Sequence, residues 1–437
     1  MTNLPTMTAP ADRAPGLDLL RAGAILTVML YHLSSHGFAL GAPGRHGWLG
    51  VDLFFVLSGY LIGWQVLRRY AAGGRPDWPA FLLRRALRVL PAYLAVLGLY
   101  LAVPAWREAE RLPPLWQFLS FTLNLFPDWE HARAYSHAWS LCVEEHFYLL
   151  LPPVVVLLAR RPGMARVLAL AGALFAGGML LRAIAWQQAV APHLGTGGDA
   201  AQAALGYVEH IYDPTWNRLD GLLAGVLLAA MRAFRPAWWT RVLRQGPLLL
   251  ATGAAALAWV VAIEPLSRFG AIVQFPLAAF GFACLLAAAL SGRLPFARLA
   301  LPGARPLALL AYSLYLTHRQ VYGWLDTQLD DLPATAPLAA FCLYNLAALA
   351  VAAVLYWTVE RPALRLRDRL LAGRVTHIDN VACAAGLTGP SPRAARRPFR
   401  PVLRPAVPRS RRWHERGSPR SAPARRHWRR PVPAERA

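Results

Sequence analysis

Apolar segments long enough to cross a bilayer alternate with short polar connections along most of the chain. An α-helix rises about 1.5 Å per residue and a hydrocarbon core is roughly 30 Å thick, so about 20 apolar residues make one crossing. The pattern predicts an all-α fold, a polytopic membrane bundle of about ten transmembrane helices. The apolar runs lie at about 17–37, 48–67, 87–106, 138–159, 165–186, 216–234, 246–263, 271–291, 307–325 and 337–359. A shorter run at 115–126 predicts an interfacial or re-entrant segment.

Composition supports the membrane class. Of the 437 residues 56% are hydrophobic and only 16% are charged, and the mean hydropathy is +0.33. A net charge of +23 resembles that of nucleic-acid-binding proteins, but every Lys or Arg position is Arg, and the arginines lie between apolar runs and towards the end of the chain. We therefore expect the lipid bilayer as partner and no nucleic acid. The four cysteines show no metal-ligand or disulfide spacing, and we expect no metal.

Arginine placement predicts the topology. Connections between predicted spans that carry Arg excess should be cytoplasmic. These are the second, fourth, sixth and eighth, with Arg68, Arg69, Arg75, Arg84, Arg85, Arg88, Arg160, Arg161, Arg166, Arg232, Arg235, Arg241, Arg244, Arg293, Arg298 and Arg305. An even number of spans then leaves both termini cytoplasmic in a multi-pass protein of the inner or plasma membrane.

The distribution of apolar and charged residues predicts three segments of the chain. Residues 1–15 form a cytoplasmic N-terminal segment, 16–371 a membrane domain, and 372–437 an Arg- and Pro-rich cytoplasmic tail. Such a tail cannot bury a core, so the sequence predicts disorder. Binding of anionic lipid and a frameshifted end are the alternatives for this tail.

The first predicted span carries two ionisable residues, Arg21 and His32, about three helical turns apart. An ionisable side chain at membrane depth costs roughly 2.5 to 3.5 kcal/mol on insertion scales, so such residues usually face a protein interior or a wet cavity. The topology sets Arg21 near the cytoplasmic end and His32 near the outer end. One helix thus presents a cation and an imidazole towards opposite membrane faces.

Further polar residues interrupt the later spans in the same outer half. Asp52 opens the second span, where a helix-start carboxylate is the structural alternative to a catalytic one. Glu144 and Glu145 are adjacent, so they point about 100 degrees apart, and we expect Glu144 to face inward. The structural alternative is a plain Arg–Asp pair for Arg218 with Asp220, and a buried core histidine for His318. The candidate substrate-binding residues are His137, Ser140, Glu145, Arg218, Asp220, Tyr312 and His318.

A histidine beside a carboxylate is the arrangement that general-base catalysis needs. We expect His32 to take a proton from a hydroxyl, with Asp52 or Glu144 orienting its ring. On the inner side an arginine cluster suits the phosphates of a cytosolic donor, although plain positive-inside charge explains most of it. Its members are Arg21, Arg84, Arg85 and Arg88.

Several motifs in a fixed order resemble the acyltransferase 3 family of integral-membrane O-acyltransferases, over nearly all of residues 15–370. They are Arg21 with His32, GVDLFFVLSGYLI, RRALRVLP, WSLCVEEHFYLLLP, Arg218 with Asp220 and Gly225, YSLYLTH and VERPALRLRDRL. The resemblance implies acyl-CoA as a cytoplasmic donor, His32 as the catalytic base, donor contacts from Arg21 and the inner arginines, and Glu144 within a Ser-x-x-Val-Glu signature. It departs from the many members with a fused SGNH domain, for which this tail is too short.

The resulting hypothesis is an O-acyltransferase that moves an acyl group, with acetyl proposed, from acyl-CoA to a hydroxyl of a surface or exported glycan or a related small molecule. A membrane carrier with buried His, Glu and Arg residues is the alternative. A repeated copy of the 21–63 pattern, which would favour the carrier, is missing from the sequence.

Overall fold

A computed structural model describes residues 15–384, except 110, 161–162, 196, 296–300 and 330. The expectations for residues 1–14 and for the tail beyond Ala384 lie outside the described residues. Within the described ranges the fold is helical, and the β-structure there is one isolated bridge between Arg111 and Ala132. The predicted all-α membrane bundle is confirmed.

Ten principal helices organise the described chain, and each coincides with one of the predicted apolar runs. They are α1 (Pro15–Leu33), α2 (Leu49–Ala71), α3 (Trp78–Ala102), α4 (Trp139–Arg160), α5 (Met164–Ala185), α6 (Asp220–Phe234), α7 (Gly246–Ala262), α8 (Arg268–Leu290), α9 (Ala304–Gln328) and α10 (Pro337–Leu355).

The number of membrane crossings stays a prediction. Among the described helices, 6 are long and apolar enough to cross, or up to 7 when α7 is joined to the short helix Pro236–Leu243, from which it bends by 76°. The helices α3 and α9 carry several charged residues, and α6 has only 15 residues. The predicted interfacial run at 115–126 contains a single short helix, Leu115–Leu119, whose leucines are exposed.

Side-chain caps explain where some helices begin. The carboxylate of Asp77 accepts a hydrogen bond from Ala80 N at 3.0 Å, so α3 begins about nine residues before the predicted apolar run. The hydroxyl of Ser267 likewise accepts from Gly270 N at 2.9 Å at the start of α8. Each cap satisfies a backbone donor that the first helical turn leaves without a partner.

Glycines allow α2 and α6 to cross almost in backbone contact. A Cβ atom added to Gly59 would lie 2.1 Å from Leu222 O, and one added to Gly225 would lie 2.3 Å from Val56 O. A Cβ atom added to Gly50 would likewise lie 2.4 Å from Ala24 O of α1. The small residues of the predicted second span therefore serve close helix packing, as small residues do in membrane proteins.

Helix α1 lies at the centre of the site, packed against α2 and α9. Its residues Leu17, Ile25 and Leu33 are buried, whereas several leucines on α4, α5 and α10 are exposed on the bundle surface. Arg21 and His32 are separated along α1 by about 16 Å, at 1.5 Å per residue. The bundle therefore has an arginine end and an imidazole end, at the two ends of α1.

The chain divides into two compact units, Met1–Thr376 and His377–Ala437. All ten principal helices belong to the first unit. The predicted tail begins at residue 372, whereas the last described helix, Arg361–Ala384, continues beyond that position. The three-segment division of the chain stays a prediction.

Candidate active site

Three imidazoles form a cluster at one end of α1. His32 comes from α1, His318 from α9, and His137 from a 3₁₀ turn, Ser136–Ala138, that leads into α4. The ring centroid of His32 lies 4.9 Å from that of His318 and 6.5 Å from that of His137, and the last two are 5.6 Å apart. His137 and His318 are buried, while His32 is half-buried. We call these three residues the imidazole cluster.

Hydrogen bonds within the cluster fix which nitrogen of His32 is a base. His318 Nδ1 lies 2.7 Å from the carbonyl oxygen of Leu314, which can only accept, so this nitrogen carries the hydrogen. The Nε2 lone pair of neutral His318 then accepts from His32 Nδ1, at 2.7 Å. His32 Nε2 is left with its lone pair, so it can take a proton from a substrate.

The partner that orients His32 is an imidazole, whereas the sequence suggested a carboxylate. Asp52 instead accepts from Arg218 Nη2 at 2.9 Å. Glu144 accepts from the hydroxyls of Ser58, at 2.9 Å, and Tyr148, at 2.8 Å. Each carboxylate is thus engaged elsewhere, because buried charge requires its own partners at close range.

A cavity of about 610 Å³ occupies the bundle between the arginine end and the imidazole cluster. Glu144 is the member of the Glu144–Glu145 pair that lines it, as expected from the helical geometry. At the arginine end the cavity is lined by Asp18 and by four basic residues, Arg21, Arg85, Arg88 and Arg305. Arg84, the remaining predicted donor-binding residue, is not part of the lining.

The arginine end is held by ion pairs and ring contacts. Arg88 pairs with Glu360, which also accepts from Ser313 Oγ at 2.7 Å. Arg85 stacks over the ring of Tyr148, 4.1 Å from its centroid. Arg21 is one-third exposed and lies 3.6 Å from Asp18. Cationic groups are thus available to an anion at this end of the cavity.

Ser140 and Tyr315 separate the cavity from the imidazole cluster. Both line the cavity, and their hydroxyls are hydrogen-bonded to each other. The hydroxyl of Tyr315 also lies 2.9 Å from the backbone oxygen of His137, to which it can donate. Tyr312 lines the cavity as well, with its hydroxyl donating to Val89 O at 2.8 Å. A chain entering from the arginine end would therefore meet these hydroxyls before it reaches the imidazoles.

Two buried ion pairs join the helices beside the site. Arg218 pairs with Asp52, and Arg182 of α5 pairs with Asp220 at 2.8 Å. The Arg218–Asp220 pair considered from the sequence does not form, because each residue has a partner on another helix. Neither pair lines the cavity, and Arg218 is enclosed by aromatic rings, including Phe275 at 4.1 Å and Tyr212 at 4.3 Å.

The loops at the imidazole end are bound to one another. The indole of Trp129 donates to the carboxyl of Asp213 at 2.6 Å, and Asn124 donates to Asp213 O at 3.1 Å. Burial raises the pKa of the Asp213 side chain to about 8, although the Trp129 hydrogen bond opposes this shift. The connection between α3 and α4 is therefore fixed to the connection between α5 and α6.

Comparison of the sequence with models of protein families identifies the family of this chain. The model described as an acyltransferase domain, that of the acyltransferase 3 family, matches residues 15–357. The chain belongs to the acyltransferase 3 family. The match spans every principal helix, so the acyltransferase domain contains the lining of the cavity and the imidazole cluster, whereas Glu360 lies just beyond the matched residues.

Curated relatives of this acyltransferase 3 chain are O-acetyltransferases. The O-acetyltransferase OatA of Staphylococcus aureus strain NCTC 8325 is 32% identical over 160 residues, which is 34% of this chain and 25% of that protein. OatA of strain COL gives the same figures. The match thus spans about a quarter of the length of these relatives. Comparison with solved structures found no match.

Some residues of the acyltransferase site were not predicted from the sequence. The structure adds Arg305 to the cavity, Glu360 to the arginine end and Arg182 to the buried pairs. The apolar pattern gave one signal: Arg182 lies within an otherwise apolar run. Within the described residues, no group of three or more His, Cys, Asp or Glu side chains is arranged to hold a metal ion.

Proposed function

We propose that this chain is a membrane O-acetyltransferase that uses acyl-CoA, with acetyl as the acyl group, to modify a hydroxyl of a surface or exported glycan or a related small molecule. The observation that carries the proposal is the free Nε2 lone pair of His32, close to a cavity that is lined by arginines at its opposite end. The names of the O-acetyltransferase relatives support acetyl as the group transferred.

The reaction needs one proton to move twice. His32 Nε2 removes the proton of the acceptor hydroxyl as its oxygen attacks the thioester carbonyl carbon. The carbon–sulfur bond then breaks, and the imidazolium returns the proton to the leaving thiolate. His318 accepts the hydrogen bond from His32 Nδ1 throughout, which keeps the ring in position. Such general acid–base assistance contributes about 10²- to 10⁴-fold to a rate.

The arginine end would bind the donor. Guanidinium groups bind phosphates through paired hydrogen bonds, so Arg21, Arg88 and Arg305 suit the phosphates of coenzyme A. The pantetheine arm is narrow and would enter the cavity towards Ser140 and Tyr315. In the proposed topology this end is cytoplasmic, both termini lie on that side, and the protein resides in the inner or plasma membrane.

The first test is mass-resolved acylation of cell-surface glycans and exported small molecules in the native cells. The strains compared carry the wild-type gene, a deletion or His32→Asn, whose amide can still donate to His318 but lacks the basic lone pair. A single acyl mass present in the wild type should be lost in the deletion and reduced about 10²-fold or more in the variant.

The matched control is His131→Ala, because the imidazole of His131 is 64% exposed and lies in the connection between α3 and α4. Its acylation should equal that of the wild type. Normal acylation by His32→Asn protein, present in the membrane at the wild-type amount, would contradict the proposal.

A further inference from the structure

A second cluster of charges lies beside the imidazole cluster. Arg319 Nη2 and Arg133 Nε share the same carboxylate oxygen of Glu108, at 3.0 Å and 3.4 Å. Glu108 also accepts from the hydroxyl and the backbone N–H of Ser136, at 2.6 Å and 3.2 Å. We call these four residues the rim cluster. It contains two cations and one anion, so one positive charge is not balanced within it.

Sequence adjacency brings this charge to the proposed base. Arg319 follows His318 directly, and Ser136 precedes His137, so the rim cluster borders the imidazole cluster on two sides. A guanidinium nitrogen of Arg319 also donates to the hydroxyl of Ser136, which holds this cation next to His137. The uncompensated positive charge of the rim cluster therefore lies beside the imidazoles where the acceptor hydroxyl would bind.

The guanidinium groups retain donors for a ligand. The side chain of Arg133 is 46% exposed and that of Arg319 is 21% exposed. Within the described part of the chain, Arg133 uses only Nε in its contact with Glu108. A guanidinium has five N–H donors in a planar fork that fits the oxygens of a carboxylate or a phosphate.

The carboxylate of Asp326, at the same end of the bundle, does not neutralise the rim cluster. Asp326 pairs with His36 and accepts from Tyr344 Oη at 2.7 Å. The ring of Tyr322 contacts both His36 and His318 of the imidazole cluster, with centroid distances of 5.7 Å and 5.8 Å. Asp326 thus has partners of its own outside the rim cluster.

A fixed cation beside His32 opposes the imidazolium that forms when His32 takes a proton, because like charges repel more strongly where water is scarce. A negative charge that arrives with the acceptor would remove this opposition. We propose that the rim cluster binds an oxyanion on the acceptor, a carboxylate or a phosphate of an acidic glycan, and thereby selects charged over neutral acceptors. The inference rests on the proposed transferase function for the identity of the ligand as acceptor.

The test measures binding separately from catalysis. Full-length His32→Asn protein in lipid nanodiscs is titrated with three disaccharides that end in glucose, glucuronic acid or glucose 6-phosphate. We expect at least one charged disaccharide to bind about tenfold or more tightly than the neutral one, with a preference that decreases as salt increases. The glucuronic acid and phosphate arms identify which oxyanion is preferred.

Arginine variants in the same background assign the preference to the rim cluster. Arg319→Gln and Arg133→Gln should each reduce the charged-to-neutral ratio about fivefold or more, while Arg319→Lys should retain part of it. The matched control is Arg111→Gln, an exposed arginine of the same connection whose charge acts on Asp128 and His131. It should leave the ratio unchanged.

Equal binding of neutral and charged disaccharides would overturn the inference, and so would a preference that survives both glutamine variants. Transfer assays with acetyl-CoA and the wild-type protein then address the proposed function independently. Charge-selective binding without transfer would contradict the transferase proposal and leave the rim cluster as an oxyanion site.

Discussion

At the residue scale, the chemistry depends on which nitrogen of each imidazole carries hydrogen. The carbonyl of Leu314 sets the tautomer of His318, and His318 in turn sets that of His32. The protein thus orients its proposed base with a backbone carbonyl and a second imidazole, without a carboxylate. A neutral relay of this kind avoids the cost of burying an ionised acid beside the base.

Substitution of His318 tests this relay. His318→Gln supplies an amide oxygen that can accept from His32 Nδ1, so we expect acyl transfer within about tenfold of the wild type. His318→Leu leaves that buried donor without a partner, which costs about 1 to 3 kcal/mol, or roughly 5- to 150-fold in kcat. The measurement is steady-state kinetics of purified protein, with KM for the donor as an internal reference that should not change. Equal activity of the two variants would count against the relay.

The sequence predicted single residues better than their partners. His32, Arg21 and Glu144 stood out because ionisable groups are costly in apolar runs, and all three lie at or beside the cavity or the imidazole cluster. The partner of His32 was not predictable, because His318 is 286 positions away and becomes its neighbour only through the packing of α1 against α9.

At the element scale, α2 and α6 cross with their backbones in close contact. Glycines at this crossing let the backbone of one helix touch that of the other, and Phe55 of α2 lies next to Gly221 of α6. The same two helices carry Asp52 and Asp220, whose arginine partners are Arg218 and Arg182. The crossing therefore also determines whether the buried ion pairs can form.

Gly225→Ala should disrupt this crossing. The added Cβ atom would lie 2.3 Å from Val56 O and 2.5 Å from Tyr60 N, so the two backbones must move apart. Overpacking of this kind costs about 1 to 3 kcal/mol, and we expect a lower unfolding temperature in detergent. The matched control is Gly98→Ala in α3, where nothing lies within 4 Å and alanine favours the helix. Equal unfolding temperatures for the two variants would refute the interpretation.

Helix positions were predictable because apolar length is a local property, and each of the ten apolar runs coincides with a helix. The exact residues at which the helices begin and end were less predictable. Helix α3 begins at Trp78 because Asp77 caps it, although Arg84 and Arg85 separate its first apolar residues from the predicted apolar run. The faces that the helices present to one another depend on packing over the whole chain, which is why the exchange of partners between Arg218 and Arg182 was not foreseen.

At the scale of the whole molecule, the two substrates would approach from opposite ends of the bundle. Arginines line the cavity at one end, and the imidazole and rim clusters lie at the other. This separation follows from the length of α1, which carries Arg21 near its start and His32 in its last turn.

Arg21→Gln should therefore affect the donor alone. We expect KM for acetyl-CoA to increase about tenfold, with a weaker salt dependence, because one guanidinium contact to phosphate is lost. The KM for the acceptor should stay constant. Arg75→Gln, in the exposed connection between α2 and α3, is the control and should leave both values unchanged. The measurement is steady-state kinetics in proteoliposomes of uniform orientation, with acetyl-CoA supplied to one side. An equal change in both KM values would contradict the separation of the two ends.

The hydroxyl pair between the cavity and the imidazole cluster has a consequence for the energy supply of the cell. Acidic and imidazole side chains in series carry protons in membrane pumps, and this chain contains Glu144 on one side of the pair and His137 on the other. Tyr315 can donate its hydrogen to the backbone carbonyl of His137, an acceptor that passes no proton onward. We therefore expect that the resting protein does not discharge the proton gradient that drives ATP synthesis.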